Sequence, residues 1–405
     1  MNQHSVTLPK VGRLCTGCGV CRAAAPGGIE MSSAGKGYLR PRAVRPLSPE
    51  EDQRIADICP GLALSRAPAG KPDHPVWGPI IRARVGQATD PALRHKASSG
   101  GALSAVLLYL LETGLVDRVV QTAANPLAPI ENMTVESTTA KHVFHAAGSR
   151  YAPSAPLSEI LQQLDRPGRF AFVGKPCDVA ALRAYARHNT AVRAKVPYLI
   201  SFFCAGIPSL DGTRAILERL GVAEDDVAWF RYRGDGWPGF ATASTRDGRM
   251  FRMSYTESWG SILSRHLQFR CKVCPDGSGG FADLVCADAW YGDEQGYPKF
   301  QEAEGRSLVI TRTPTGEDIV RAAVREGYLE LAEVEIGEIA KMQPYQARRK
   351  QLVLSRLAAL ALFGHTVPRF RGLSLWRCAL MAGLWRNARS FIGTVVRIVT
   401  RRLEN

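Results

Sequence analysis

Residues 169–187 read RFAFVGKPCDVAALRAYAR, and this stretch decides the fold class. Positions 169–173 form a short apolar run suited to a buried strand. Gly174-Lys175-Pro176 is a turn, and 178–187 then takes up the 3.6-residue period of a helix. The same alternation extends over residues 80–340. Strand-like runs fall at 81–88, 116–122, 169–173, 197–203, 227–232, 307–311 and 328–334. Helix-like runs fall at 101–113, 178–187, 211–220 and 316–326. Such alternation predicts an α/β fold, with a mixed-sheet α+β core. One stretch departs from it: 239–256 holds two short strands around Asp247-Gly248, the signature of a hairpin.

Outside this core the composition changes. Residues 1–66 hold a segment rich in Cys, Gly and Pro. Residues 67–79 (APAGKPDHPVWGP) read as a linker, and 341–405 form a basic tail. The core itself divides at about residue 165, giving units 80–165 and 166–340. The formal net charge of +15 is unevenly placed: the tail has 13 Lys/Arg and one acid, Glu404, so the remaining 340 residues are nearly neutral. The first fifteen residues lack the apolar core of a secretory signal, and no apolar run reaches the ~18 residues of a spanning helix. The expected location is therefore cytoplasmic. Thiols stay reduced there, so clustered cysteines point to metal or redox chemistry rather than disulfides.

The chain has ten cysteines. Cys15-Thr-Gly-Cys18-Gly-Val-Cys21 is C-x2-C-x2-C, a spacing that lets three thiolates converge on one 4Fe-4S cubane. The bacterial ferredoxin run would place its next Cys where Ala25-Pro26 stands. That Cys serves the other cluster of a two-cluster ferredoxin. The fourth ligand here is expected from Cys59, in Cys59-Pro60-Gly61. A structural zinc site is the competing reading, though zinc favours paired C-x2-C elements. A second group is looser. Cys271-Lys-Val-Cys274-Pro275 alone could be half a zinc site or a redox dithiol. Cys177 and Cys204 end strand-like runs, where α/β sheets place their sites, yet free cysteines are often small buried hydrophobes. Cys286 and Cys378 have no Cys neighbours and read as structural.

Ser98-Ser99-Gly100-Gly101 leads directly into an apolar helix. A helix N-terminus suits an anion, and a plain Ser cap suits the same residues. Gly148-Ser149-Arg150-Tyr151 and Gly236-Trp-Pro-Gly239 read either as turns or as cofactor loops. The chain has no H-E-x-x-H and no G-x-S-x-G, so zincin and hydrolase chemistry have no support.

In order, CTGCGVC with the later CPG, SSGGALSAVLLYLLETGLVD, AGSRYAPS, FVGKPCDVAALR, FFCAGIPS, YRGDGWPG and FRCKVCPDGSGGFADLVCADAW resemble the beta subunits of coenzyme F420 (8-hydroxy-5-deazaflavin) hydrogenases and dehydrogenases. Chlorophyll-pathway reductases are relatives of that family. The resemblance spans about residues 11–312. It implies FAD and two 4Fe-4S clusters, the second on Cys177, Cys204, Cys271 and Cys274. It also implies a flavin site lined by Ser98, Ser99, Gly100, Gly101, Gly148, Ser149, Arg150, Tyr151 and Lys175. Two features depart from the pattern: the ferredoxin-like segment has ligands for one cluster, where some relatives hold two, and the tail lies outside it.

The expected activity follows. Electrons from ferredoxin or another one-electron carrier pass through the clusters to FAD, and on as a hydride to a small organic substrate or a deazaflavin. A non-catalytic electron-transfer subunit of a larger complex is the alternative. Asp276, Asp288 and Tyr151 are candidate proton donors by location only, with solvated or capping roles as the plainer reading. A homo-oligomer is compatible with the sequence. Residues 371–403, placed on one helical wheel, put Arg371, Arg386, Arg389, Arg397 and Arg401 largely opposite an apolar face bordered by Trp376 and Trp385. This pattern suits a helix in a membrane interface, or one packed on the protein's own surface or another subunit. No nucleic-acid-binding motif accompanies the charge.

Overall fold

The computed structural model describes residues 5–67, 73–292 and 299–400. An eight-stranded mixed sheet forms its centre. In chain order its strands are β1 (Arg82–Ala88), β2 (Arg118–Asn125), β3 (Ala128–Ser137), β4 (Phe170–Gly174), β5 (Tyr198–Phe202), β6 (Leu284–Asp288), β7 (Ser307–Thr311) and β8 (Leu329–Glu333). Across the sheet they run β8-β1-β7-β6-β5-β4-β2-β3. Strands β6, β5, β4 and β2 are mutually parallel. The strands at both margins pair antiparallel.

The two-residue period of a strand divides the core into two faces. In β4, Phe170 and Phe172 pack on one side and Ala171 and Val173 on the other. The first side is covered by helix Pro176–Tyr185 and by the N-terminal segment, through Val20, Ala24, Ile29, Ile55 and Ile58. The second is covered by helices Ala102–Glu112 and Pro314–Arg325. Covering both faces is what makes the parallel strands apolar throughout. The cysteine-rich segment thus shares a core with the sheet.

Each strand and helix expected from the sequence occurs, with ends displaced by up to three residues. The hairpin at 239–256 also forms, as Ala241–Thr245 and Met250–Met253, with Gly248 at φ +85. Strand Val227–Arg231 pairs with this hairpin in a separate three-stranded sheet rather than joining the main one. Other strands escaped the sequence reading for physical reasons. β6 is buried on both faces and shows no alternation. β3 is a margin strand in which polar and apolar residues mix without strict alternation. Ile29–Ala34 and Tyr38–Ala43 form a hairpin within the Cys-rich segment.

The remaining parts also differ from expectation. Of the proposed linker, 68–72 lie outside the described residues, but Val76 and Trp77 are buried, and Trp77 stacks on Phe203 at 5.9 Å. The tail is not one helix. Arg369–Arg371 pairs parallel with Ala63–Ser65, shortly after Cys59, and Gly383 at φ +77 separates Leu375–Ala382 from Leu384–Val399. Arg401, Arg402 and Glu404 lie outside the described residues.

Gly100 lies against the sheet, where an added Cβ would stand 2.7 Å from both Gly86 O and Ser307 N. Gly100→Ala should therefore destabilise the protein by about 1–3 kcal/mol through overpacking. Gly337→Ala, with nothing within 4 Å of the new Cβ, should leave the thermal midpoint in place; equal midpoints for the two variants would contradict this packing.

Candidate functional site

Parallel strands place their carboxyl ends on one edge, and a crevice opens there. A cavity of about 680 Å³ occupies that edge, lined by Gln121 and Thr122 of β2, Val173 and Gly174 of β4, Phe202 of β5 and Ala287 and Asp288 of β6. Its volume lies within the range of cofactor pockets. Eight of the nine residues expected at a flavin line it: Ser98, Ser99, Gly101, Gly148, Ser149, Arg150, Tyr151 and Lys175. Gly100 is the exception, because it is packed against β1 and β7.

The loops are joined to each other. The Ser149 amide donates to Ser98 Oγ, tying the two glycine-rich turns together. Ser99 Oγ donates to Arg306 O at 3.0 Å. Gly101, at φ +75, starts helix Ala102–Glu112 with no side-chain cap, and Ala102, Leu103 and Ser104 also line the cavity. The open N–H groups and positive dipole end of that helix therefore border the space, a setting suited to phosphate.

Lys175 supplies a buried cation. Its Nζ donates to Asp178 Oδ2 at 2.7 Å and to Ser154 Oγ at 2.7 Å. Burial opposes the charge, but Asp178, helped by Cys177 and Cys204, outweighs it and holds the ammonium above its ordinary range. Burial likewise pushes the Asp178 carboxyl up, against the pull of Lys175. Arg150 lines the cavity and also braces its wall. Its guanidinium is spent on Asn132 Oδ1 and on the carbonyls of Phe230, Pro129 and Glu131, at 2.8–2.9 Å. These bonds hold the 148–151 loop against the neighbouring strands.

An aromatic and charged group at the other end was not singled out from the sequence. Arg233 forms a bidentate pair with Asp288, both bonds 2.9 Å, and lies over the rings of Tyr255 and Trp290. Burial works against its charge, yet Asp288, then Tyr151, raise its pKa well above the usual value. Trp237 Nε1 also donates to Asp288, at 2.7 Å, and Trp237 stacks on Trp290 at 4.7 Å. Asp288 accepts three hydrogen bonds, two from Arg233 and one from Trp237, so both its oxygens are engaged in the cavity wall. Tyr151 borders the cavity with its hydroxyl beside Arg233. Asp276 is buried outside the cavity, with Oδ1 accepting from the Gly280 amide at 2.7 Å. The YRGDGWPG segment carried the signal for Arg233 and Trp237, but its glycines drew the reading toward a turn.

The cysteines form two gatherings. Cys15, Cys18, Cys21 and Cys59 surround one small hollow. Gly17 and Gly19, at φ +77 and +84, let the chain wind around it. Burial pushes up the thiols of Cys15, Cys18 and Cys21, and pushes Cys59 to about 11. Cys204, Cys271 and Cys274 form the second: burial, then Cys271, raises Cys204 to about 12. The Ile207 amide donates to Cys271 Sγ at 3.4 Å, and Gln268 Nε2 at 3.6 Å. Burial, then Asp178, raise the Cys177 thiol well above its ordinary value, with smaller contributions from Cys204 and Cys18. Cys204 also lines the main cavity, so the second gathering adjoins it. Among the described residues, no three His, Cys, Asp or Glu side chains gather closely enough for a single ion, whereas a cubane spreads its thiolates over four irons. Buried thiols of this kind need such a cation to exist as thiolates.

The tail completes the second gathering. Arg349 donates to the carbonyls of Cys204 and Ala205, and Arg356 donates to Lys272 O. Gln346 and Arg349 also line the cavity.

Residues 83–162 match the N-terminal region, and residues 168–336 the C-terminal region, of the family described as coenzyme F420 hydrogenase/dehydrogenase, beta subunit. Coenzyme F420 hydrogenase subunit beta of Methanococcus voltae is 26% identical over 254 residues, covering 62% of this chain and 83% of the relative. The coenzyme F420-dependent sulfite reductase of Methanocaldococcus jannaschii is 23% identical over 354 residues, covering 83% of this chain and 49% of that protein. A chain in the F420-reducing NiFe hydrogenase complex from Methanosarcina barkeri superposes with a TM-score of 0.54 at 21% identity, over 71% of this chain and 95% of that one, a likeness of fold. Two matches that together run through the sheet and the cavity show that the chain belongs to the coenzyme F420 hydrogenase/dehydrogenase beta-subunit family.

Proposed function

We propose that the protein is a flavin- and iron–sulfur-dependent oxidoreductase. It takes electrons from a one-electron carrier such as ferredoxin and exchanges a hydride with an organic substrate or a deazaflavin. The observation that carries this reading is spatial. Two gatherings of thiols occur, one around its own small hollow and one that opens on the cavity through Cys204.

The residues fit the groups. Cys15, Cys18, Cys21 and Cys59 would hold one 4Fe-4S cluster, and Cys177, Cys204, Cys271 and Cys274 the other. FAD would lie in the large cavity, its phosphates toward Gly101 and the open helix N-terminus. A bound flavin supplies the junction between one-electron and two-electron chemistry. The chain's own part is placement and electrostatics. Lys175 brings a positive charge to the wall, Arg233 is locked by Asp288 beside Tyr151, and the N–H donors to Cys271 Sγ would tune a cluster held there. A second reading, a subunit that only relays electrons, is favoured by relatives named as subunits of hydrogenases and formate dehydrogenases. Turnover of a deazaflavin by the purified chain with a chemical reductant separates the two.

Anaerobic purification should give about eight irons and one flavin per chain; zinc without iron or flavin would overturn the assignment. Cys59→Ala should lower the iron by about half and leave the flavin, and an unchanged iron content would refute that ligand. Arg349→Gln should keep both clusters but make the second harder to reduce, because a positive charge beside Cys204 is lost. A potentiometric titration followed by electron paramagnetic resonance reads this as a more negative midpoint for one cluster only; a shift of neither, or of both alike, would contradict it.

A further inference from the structure

The tail ends in a helix whose surface divides three ways. Asn387, Ser390, Phe391, Thr394 and Ile398 turn inward. Ile398 packs with Leu357 and Leu360 of helix Val353–Leu362, and Arg356 Nε bonds Ser390 Oγ at 3.4 Å. That face is the helix's anchorage to the protein. A second face is apolar and open: Leu384 is 91% exposed, Trp385 78%, Ile392 60%, Val396 53% and Val399 67%. At 100° per residue these five side chains span about 120° of the helix. Arg386, Arg389 and Arg397 occupy the next ~80° on the same construction.

The preceding helix, Leu375–Ala382, continues the pattern. Trp376 and Leu380 are about three-quarters exposed, with Arg377 beside them. Among the described residues, none of Arg377, Arg386, Arg389 and Arg397 is in a salt bridge, and residues 341–403 contain no Asp or Glu. Bulky apolar side chains left open in a row mark a surface that meets something other than water.

We propose that this surface lies in the interface of an anionic lipid membrane. Charge complementarity selects the occupant. An apolar stripe and a basic stripe run side by side along the helix, with no Asp or Glu anywhere in residues 341–403, and Trp385 and Trp376 belong to the apolar part. Such a helix lies with its apolar side among the acyl chains and its arginines at the phosphates. Together the two stripes make one exposed ridge along the helix. At 16 residues the helix is about 24 Å long, and none of the described helices is long and apolar enough to cross a membrane. It therefore lies in the plane of the surface, and the sheet and cysteine gatherings stay on the aqueous side. This attachment is independent of the redox reading, and its test needs no electron transfer.

The full cofactor-loaded chain is sedimented with vesicles of phosphatidylcholine alone and of phosphatidylcholine with phosphatidylglycerol. Binding should be about tenfold stronger or more to the anionic vesicles and should weaken with added salt. Trp385→Ala/Ile392→Glu should lower that binding by at least about tenfold, with thermal midpoint and cofactor content unchanged, because both side chains are exposed. Should this variant lose its fold, Arg386→Glu/Arg389→Glu should give the same loss. Absence of binding to anionic vesicles, or undiminished binding by folded variants, would overturn the proposal. So would an oligomer in solution that Ile392→Glu dissociates while vesicles bind neither form, which would assign the ridge to a second copy of the chain.

Discussion

In-register parallel pairing of β4 with β5 and of β5 with β6 sets Val173 and Leu284 both against Ile200. The three strands therefore end on one edge of the sheet within about three residues of each other, and much of the site follows those ends. Lys175 and Cys177 follow β4, Cys204 follows β5, and Asp288 closes β6. A one-residue slip in any of these pairings would exchange the two faces of the strand, sending Phe170 and Phe172 into the face filled by Ala171 and Val173. The core and the site are thus fixed by the same register.

The second requirement is the neutralisation of buried charge at this edge. The wall has two buried cations, Lys175 and Arg233, each with its own carboxylate at 2.7–2.9 Å. Neither pair needs to stabilise the fold; a buried pair often does no better than apolar residues of equal size. Removing one partner, however, costs about 3–5 kcal/mol, because the other charge is left buried alone. These pairs keep positive charge in a place that burial alone would neutralise. Their use is therefore to keep charge fixed at the cavity wall rather than to hold the protein together.

Much of this was legible in the sequence, and the illegible parts share a cause. The strand at 169–173 and the helix after it were readable because each is amphipathic or apolar over a whole period. C-x2-C-x2-C was readable because its spacing encodes convergence locally. Cys59 was inferred only as the nearest remaining thiol. The grouping of Cys204 with Cys271 depends on a long-range contact that no spacing carries. Arg233 was missed for the same reason: its partners Asp288 and Trp290 are more than fifty residues away, and its own neighbours are glycines that look like a turn. Arg150 is a mixed case. The resemblance placed it at the cavity, which it lines, but its bonds to three backbone carbonyls and Asn132 are long-range contacts that no spacing carries.

The tail shows how a single number, net charge, can hide two unlike uses. Its inner cations are committed to the protein. Arg349 and Arg356 close carbonyls in the loops that carry Cys204 and Cys271, and Lys350 is buried near Asp276. Strand Arg369–Arg371 then pairs with the strand that follows Cys59. The segment beyond the family match is therefore built into both cysteine gatherings rather than appended to them. Its outer cations, Arg377, Arg386, Arg389 and Arg397, serve no such contact and stand beside open apolar side chains. A charge that merely kept the chain soluble would be scattered over the body, which is nearly neutral. Concentrated on one ridge, and anchored through helix Val353–Leu362 to the loops of the second gathering, it can hold the redox core at a fixed distance from whatever the ridge meets.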